Sequence, residues 1–178
     1  SKGYQVFNLR EPGGVRVSEK IREILLDPKS QISPECETIL YMAARAQVVR
    51  EIILPALKAG KIVICDRFLD STIAYQGYGL GIDLKAISCI GEFATLGVKP
   101  DLTILLDLPV KKGLMHRKNC EDRIELRSLS YHTKVRNGYL KLAAKEPKRI
   151  KIIKVKKEIS ATQEEIRKLV SKLWRLKK

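Results

Sequence analysis

Short apolar runs alternate with helix-length amphipathic segments along the whole of these 178 residues, and few folds accommodate that rhythm. A strand that is apolar throughout must be covered on both faces. The segments between the runs provide that cover, so the order predicts α/β architecture: a parallel sheet with helices on either side. Strands are predicted over residues 4–9 (YQVFNL), 61–65 (KIVIC), 102–107 (LTILLD) and 149–155 (RIKIIKV). Ser33-Pro34-Glu35 opens a long helix, with Ser33 as its cap and Pro34 in its first turn, and Gly60 closes it before the second strand. A second helix is capped by Asp83 and stopped by Gly97, and a third is expected from Glu121 to Lys145, with Leu129, Val135, Leu140 and Leu142 among its apolar positions. The last is amphipathic, with Ile166, Leu169, Val170, Leu173 and Leu176 on one face. No linker, repeat or low-complexity stretch divides the sequence, so residues 1–178 read as one domain.

Ligands bind at the carboxyl ends of the strands in such a sheet. Here the first strand runs into REPGG, the second into DRFLDST and the third into DLP. Asp107 is explained well enough as a charge where a strand meets water. An acid beside an arginine after two separate strands is explained less well that way. Arg67 can grip a phosphate with two parallel hydrogen bonds, and Asp66 can hold a magnesium ion or its water shell. Arg10 and Glu11 form a second such pair, and Gly13-Gly14 lets the backbone approach a ligand closely. The constellation suits a nucleotide.

Charge agrees without choosing. A net charge of +15 implies an anionic partner, whether nucleic acid, a phosphorylated small molecule or an acidic surface. Much of the lysine lies in the tail KEPKRIKIIKVKKEISATQEEIRKLVSKLWRLKK, which reads as a solvated outer face. Aromatic residues are few and are not interleaved with the basic ones, so nucleic acid is not the expected partner. No apolar stretch is long enough to cross a bilayer and no leader precedes a cleavage site, so a soluble cytoplasmic protein is expected, with no membrane partner. Cys36, Cys65, Cys89 and Cys120 lack zinc-binding spacing and read as reduced, mostly buried thiols.

The motifs REPGG, IREILLD, AARAQ, CDRFLDSTIAYQG, PDLTILLDLP, DRIE and VRNGYLKLA fall in the order and spacing of bacterial thymidylate kinase, which the sequence resembles from about Gly3 to about Val155. The resemblance implies a P-loop kinase of the nucleoside monophosphate kinase class, with a three-layer fold and a five-stranded parallel sheet, of which four strands are visible here. It implies transfer of the γ-phosphate of ATP to dTMP, giving dTDP, with Mg2+ as cofactor, and a homodimer with a lid around residues 116–128. Position by position, it implies that Tyr41 stacks on thymine, that Arg45 reaches the base or its bound water, and that Pro12 packs beside them. Arg10, Glu11, Thr72 and Gln76 join them in the dTMP site, Tyr75 excludes a ribose 2′-hydroxyl, and Arg67 takes the dTMP phosphate. Asp66 and Glu125 lie near the metal; Arg117, Arg123 and Asp66 are the catalytic candidates, the two arginines neutralising the transferred group beside which Asp66 lies, and Arg127 is a further lid arginine.

The departures are definite. Nothing of the form G-x-x-x-x-G-K-[ST] occurs in these residues. The expectation is therefore a piece of a longer chain that lacks one strand-loop-helix unit of roughly thirty residues and that is inactive by itself. By resemblance the absent strand lies between those ending in Asp66 and Asp107, and without it two strand edges are left unpaired. Val15, Ser18, Ala44, Val48 and Lys154 stand where relatives usually have Thr, Gly, Asp, His and Asp. The competing readings are a catalytically inactive relative that still binds dTMP, another nucleoside monophosphate kinase and, last, a nonspecific nucleic-acid binder.

Overall fold

The computed structural model describes residues 5–115 and 122–176. Its elements run β1 (Val6–Arg10), α1 (Arg16–Leu26), α2 (Pro34–Val48), α3 (Leu54–Lys58), β2 (Ile62–Asp66), α4 (Leu69–Thr72), α5 (Leu84–Thr95), β3 (Thr103–Asp107), α6 (Val110–Met115), α7 (Leu129–Lys145), β4 (Ile150–Lys154) and α8 (Ile159–Leu176). A π-wound stretch, Val49–Ile53, carries α2 into α3, and a second, Ile73–Gly79, prolongs α4.

The expected helix signals act locally. Ser33 Oγ accepts from the Cys36 amide at 3.2 Å, and Asp83 Oδ1 accepts from the Lys85 amide at 3.1 Å, so each cap satisfies a donor that the first helical turn leaves free. The third expected helix begins later than its periodicity suggests, at Leu129 rather than Glu121. Asp122 Oδ1 draws the amides of Ile124 and Glu125 into a turn at 3.0 and 2.8 Å. Ser128 then caps α7 by accepting from the Tyr131 amide at 3.2 Å. Short polar side chains here outcompete the helix for backbone donors.

All four strands are present, within two residues of their expected limits, and their pairing is parallel. They form two pairs rather than one ladder. In the first Val6 faces Ile62 and Arg10 faces Asp66; in the second Thr103 faces Ile150 and Asp107 faces Lys154. Among the described residues β2 and β3 share no ladder. The break falls where the resemblance places a further strand, and Ile64 and Leu106 are left 55% and 51% exposed beside it. Each pair has its own core: Val48, Val49, Ile53 and Phe68 pack with Leu9 and Val63, whereas Leu142, Ala143 and Ile150 pack with Leu105 and Ile73.

A polar tie joins the halves. Arg149, just before β4, donates to both carboxylate oxygens of Asp70 in α4 at 2.7 Å, and Thr103 Oγ1 at the start of β3 donates to Asp70 Oδ2 at 2.9 Å. Glu146 accepts from Arg149 and is ion-paired with Lys99, which together lower its pKa to about 2. Asp107 is not simply a charge at a water boundary: Arg136 of α7 donates to both of its oxygens at 2.7 and 2.8 Å and holds its pKa below the usual carboxylate value.

The cysteine expectation needs correction. Cys36 and Cys89 are exposed and Cys65 is partly buried, because the first two lie on the outward faces of α2 and α5; Cys120 lies outside the described residues. In α8, Ile166, Leu169 and Leu173 are half-buried and Val170 faces outward, with charged residues around it. No helix among the described residues is long and apolar enough to cross a membrane.

Candidate nucleotide site

The register of β1 with β2 sets Arg10 opposite Asp66, so the loops that follow the two strands emerge together. One further backbone bond, from the Glu11 amide to the Asp66 carbonyl at 2.9 Å, extends the pairing into the first loop. Gly13 and Gly14 have φ of 142° and 92°, values that side chains resist. At Gly13 a Cβ would also meet Glu19 Oε1 at 2.5 Å, while the Gly14 amide donates to that same oxygen at 2.7 Å. In the second loop Arg67 has φ of 68°. A non-glycine residue in this left-handed region costs roughly 1–3 kcal/mol, and such residues concentrate at functional sites. That conformation sets the Arg67 guanidinium 5.1 Å from the centre of the Tyr75 ring. Burial works against its charge, but the neighbouring oxygens of Tyr75, Tyr139 and Asp66 together hold the pKa of Arg67 above its ordinary value.

Helix α2 supplies the opposite wall. Arg45 and Glu11 are 2% and 3% exposed. Arg45 Nε donates to Glu11 Oε2 at 2.8 Å, and its Nη1 donates to Thr72 Oγ1 at 3.0 Å, while the guanidinium lies 5.4 Å from the Phe68 ring centre. Desolvation raises the Glu11 pKa although Arg45 opposes it, and Glu11 Oε1 is buried without a hydrogen-bond partner among the described residues. The Tyr41 hydroxyl is pushed up to about 12 by burial and by the nearby Glu37 carboxylate.

One cavity is lined by Arg10, Glu11, Pro12, Tyr41, Arg45, Asp66, Arg67, Thr72, Tyr75, Gln76 and Glu125, all expected from the sequence. Arg123 and Arg127 are not among its lining. Arg123 Nη2 donates to Glu37 Oε2 at 2.5 Å, and Arg127 donates to both Glu37 oxygens at 2.6 and 3.2 Å. Arg117, with the part of the expected lid from 116 to 121, lies outside the described residues. The sequence reasoning missed Arg22, Leu26, Ser71, Asp122, Ile124 and His132, which also line the cavity. Arg22 was within reach: it stands in the quoted IREILLD, and its Nη1 donates to the Pro12 carbonyl at 3.0 Å. Two of the departing positions meet, for Ser18 Oγ donates to the Ala44 carbonyl at 2.7 Å, and both residues are buried.

Magnesium fits this arrangement. The described residues contain no cluster of three or more metal-ligating side chains, but Mg2+ bound beside phosphates needs only one or two carboxylates and keeps several waters. Asp66 is exposed to the cavity and Glu125 lines it.

The thymidylate kinase family model matches residues 1–166. Thymidylate kinase of Kosmotoga olearia is 50% identical over 147 residues, which are 82% of this chain and 71% of that protein. Thymidylate kinase of a Thermoanaerobacter species is 44% identical over 172 residues, 96% of this chain and 85% of that one. The crystal structure of thymidylate kinase from Ehrlichia chaffeensis superposes with a TM-score of 0.77 at 32% identity, covering 94% of this chain and 81% of that one. The chain belongs to the thymidylate kinase family.

Proposed function

We propose that the cavity is the dTMP site of an enzyme that transfers the γ-phosphate of ATP to dTMP, giving dTDP. The observation that carries this reading is the pair at the end of β2, where Arg67 is held in a left-handed conformation over Tyr75 beside an exposed Asp66. In this reading the base stacks on Tyr41 with Pro12 beside it, and Arg45, fixed by Glu11 and Thr72, closes the pocket behind it. Tyr75 fills the space a ribose 2′-hydroxyl would need, and Arg67 grips the phosphate that receives the transferred group. Arg10 adds positive charge at the same mouth. Asp66 and Glu125 would hold Mg2+, which would supply charge neutralisation on the phosphates when bound. Phosphoryl transfer asks for little besides positioning and cations around the equatorial oxygens. Arg117 and Arg123 neutralise the transferred group in this reading, and Arg127 supports them; Arg123 and Arg127 would first have to leave Glu37.

The test is ADP release by the intact protein with ATP, Mg2+ and dTMP. Turnover with dTMP and poor turnover with dUMP are expected. Tight dTMP binding without ADP release would instead favour the inactive relative.

The working unit in this reading is a cytoplasmic homodimer joined through the outward faces of α2 and α5. These helices pack together; Ile39 is 56% and Phe93 79% exposed, and Ile90 and Leu96 are exposed as well. On a chain of net charge +15, a face of this kind suits a second copy that binds by apolar burial. Light scattering should give twice the chain mass, and Phe93→Glu should shift it toward the monomer. A parent protein that stays monomeric at all concentrations would end this assignment.

A further inference from the structure

Behind the cavity wall lies a carboxylate that the proposed chemistry does not use. Glu37 of α2 is fully buried, and four hydrogen bonds converge on it. Gln76 Nε2 donates to Oε1 at 2.9 Å, Arg123 Nη2 to Oε2 at 2.5 Å, and Arg127 to Oε1 and Oε2 at 3.2 and 2.6 Å. The arginines are themselves anchored. Arg123 Nε donates to the Leu25 carbonyl at 3.1 Å, and Arg127 Nη1 donates to the Tyr131 hydroxyl at 2.7 Å.

Each of the four hydrogen bonds is donated to Glu37, whose carboxylate oxygens accept all of them. The half of the Gln76 amide that faces Glu37 must therefore be its NH2 group. The other half, the carbonyl oxygen, is left for the cavity that Gln76 lines.

We propose that Glu37 is a positioning residue that sets the hydrogen-bonding sense of the base pocket. By holding the Gln76 amide one way round, it offers the base an acceptor. Thymine and uracil carry an N–H at ring position 3 and satisfy that acceptor. Cytosine presents a lone pair there, so two acceptors would face each other in a buried site with no hydrogen between them. The same carboxylate secures Arg123 and Arg127, so the segment 122–128 and the recognition of the base depend on one buried charge.

This inference rests on the thymidylate reading of the site, and the experiment separates the two. Calorimetry gives Kd for dTMP and for dCMP with the parent protein and with Glu37→Gln, Glu37→Asp, Gln76→Ala and the Glu37→Gln, Gln76→Ala double variant. The ratio of two Kd values from one preparation does not depend on the fraction that is folded. The parent should prefer dTMP by about a hundredfold or more. Glu37→Gln should shrink that preference by about tenfold, because an amide at position 37 can meet Gln76 with either its oxygen or its nitrogen. Glu37→Asp, too short to reach Gln76 and both arginines together, should shrink it as well. In the Gln76→Ala background, Glu37→Gln should change the ratio no further. A parent that fails to bind dTMP overturns the reading of the site and this inference with it. A parent that prefers dTMP, with Glu37→Gln and Glu37→Asp keeping its ratio, overturns the inference alone and leaves Glu37 a purely structural residue. An equal change in ratio with and without Gln76 overturns it too.

Discussion

Arg67→Ala is expected to reduce kcat/KM for dTMP by roughly ten- to two-hundredfold, the equivalent of about 1.5–3 kcal/mol for losing hydrogen bonds to a charged group. The loss should be shared between KM and kcat, since a phosphate that is no longer gripped is both bound less tightly and aimed less well. Arg67→Gly should lose as much activity as Arg67→Ala and yet be the more stable of the two. With φ of 68° at this position, alanine keeps the left-handed strain, and glycine relieves it by about 1 kcal/mol. Urea melts of the two variants, read beside their kinetics, make the comparison. Equal stability would mean the strained backbone relaxes once the guanidinium is gone, and a near-normal kcat/KM would remove Arg67 from the acceptor site.

The second large effect is on folding. Glu11→Gln leaves Arg45 buried with no charge opposite it, and breaking a buried pair in this way costs about 3–5 kcal/mol. Arg45→Met should be milder, and its cost should depend on pH. Glu11 already has a raised pKa from desolvation, and loss of Arg45 raises it further, so the carboxyl can escape its burial by taking a proton. The folded protein then binds a proton that the unfolded chain has released. Stability of Arg45→Met is therefore best at acid pH and falls as pH rises from the ordinary glutamate value, about 4.3, to the raised folded one. Arginine has no such escape, so Glu11→Gln should be poor throughout that range. Denaturant midpoints at several pH values test this; equal, pH-independent losses for the two variants would show that the pair is solvated.

The element order was legible because period and punctuation act over a few residues. Ser33 and Asp83 cap as read, since a cap needs only the next turn. The start of α7 was misread because Asp122 and Ser128 look ordinary in an amphipathic pattern until they claim backbone amides. At the site, the residues that follow β1 and β2 were legible because strand ends in a parallel sheet converge by geometry. Glu37 was not. A glutamate in the first turn of a helix already has a reason to be there, in the favourable field of the helix N-terminus. Its partners Arg123 and Arg127 are 86 and 90 residues away, and no local pattern announces a contact of that span. The pairing of the strands as two separate ladders is tertiary information of the same kind.

The tie of Arg149 and Thr103 to Asp70 makes both strand pairs answer to one carboxylate. Whatever loosens Asp70 also loosens the seating of α4, and with it Ser71 and Thr72 in the lining of the cavity.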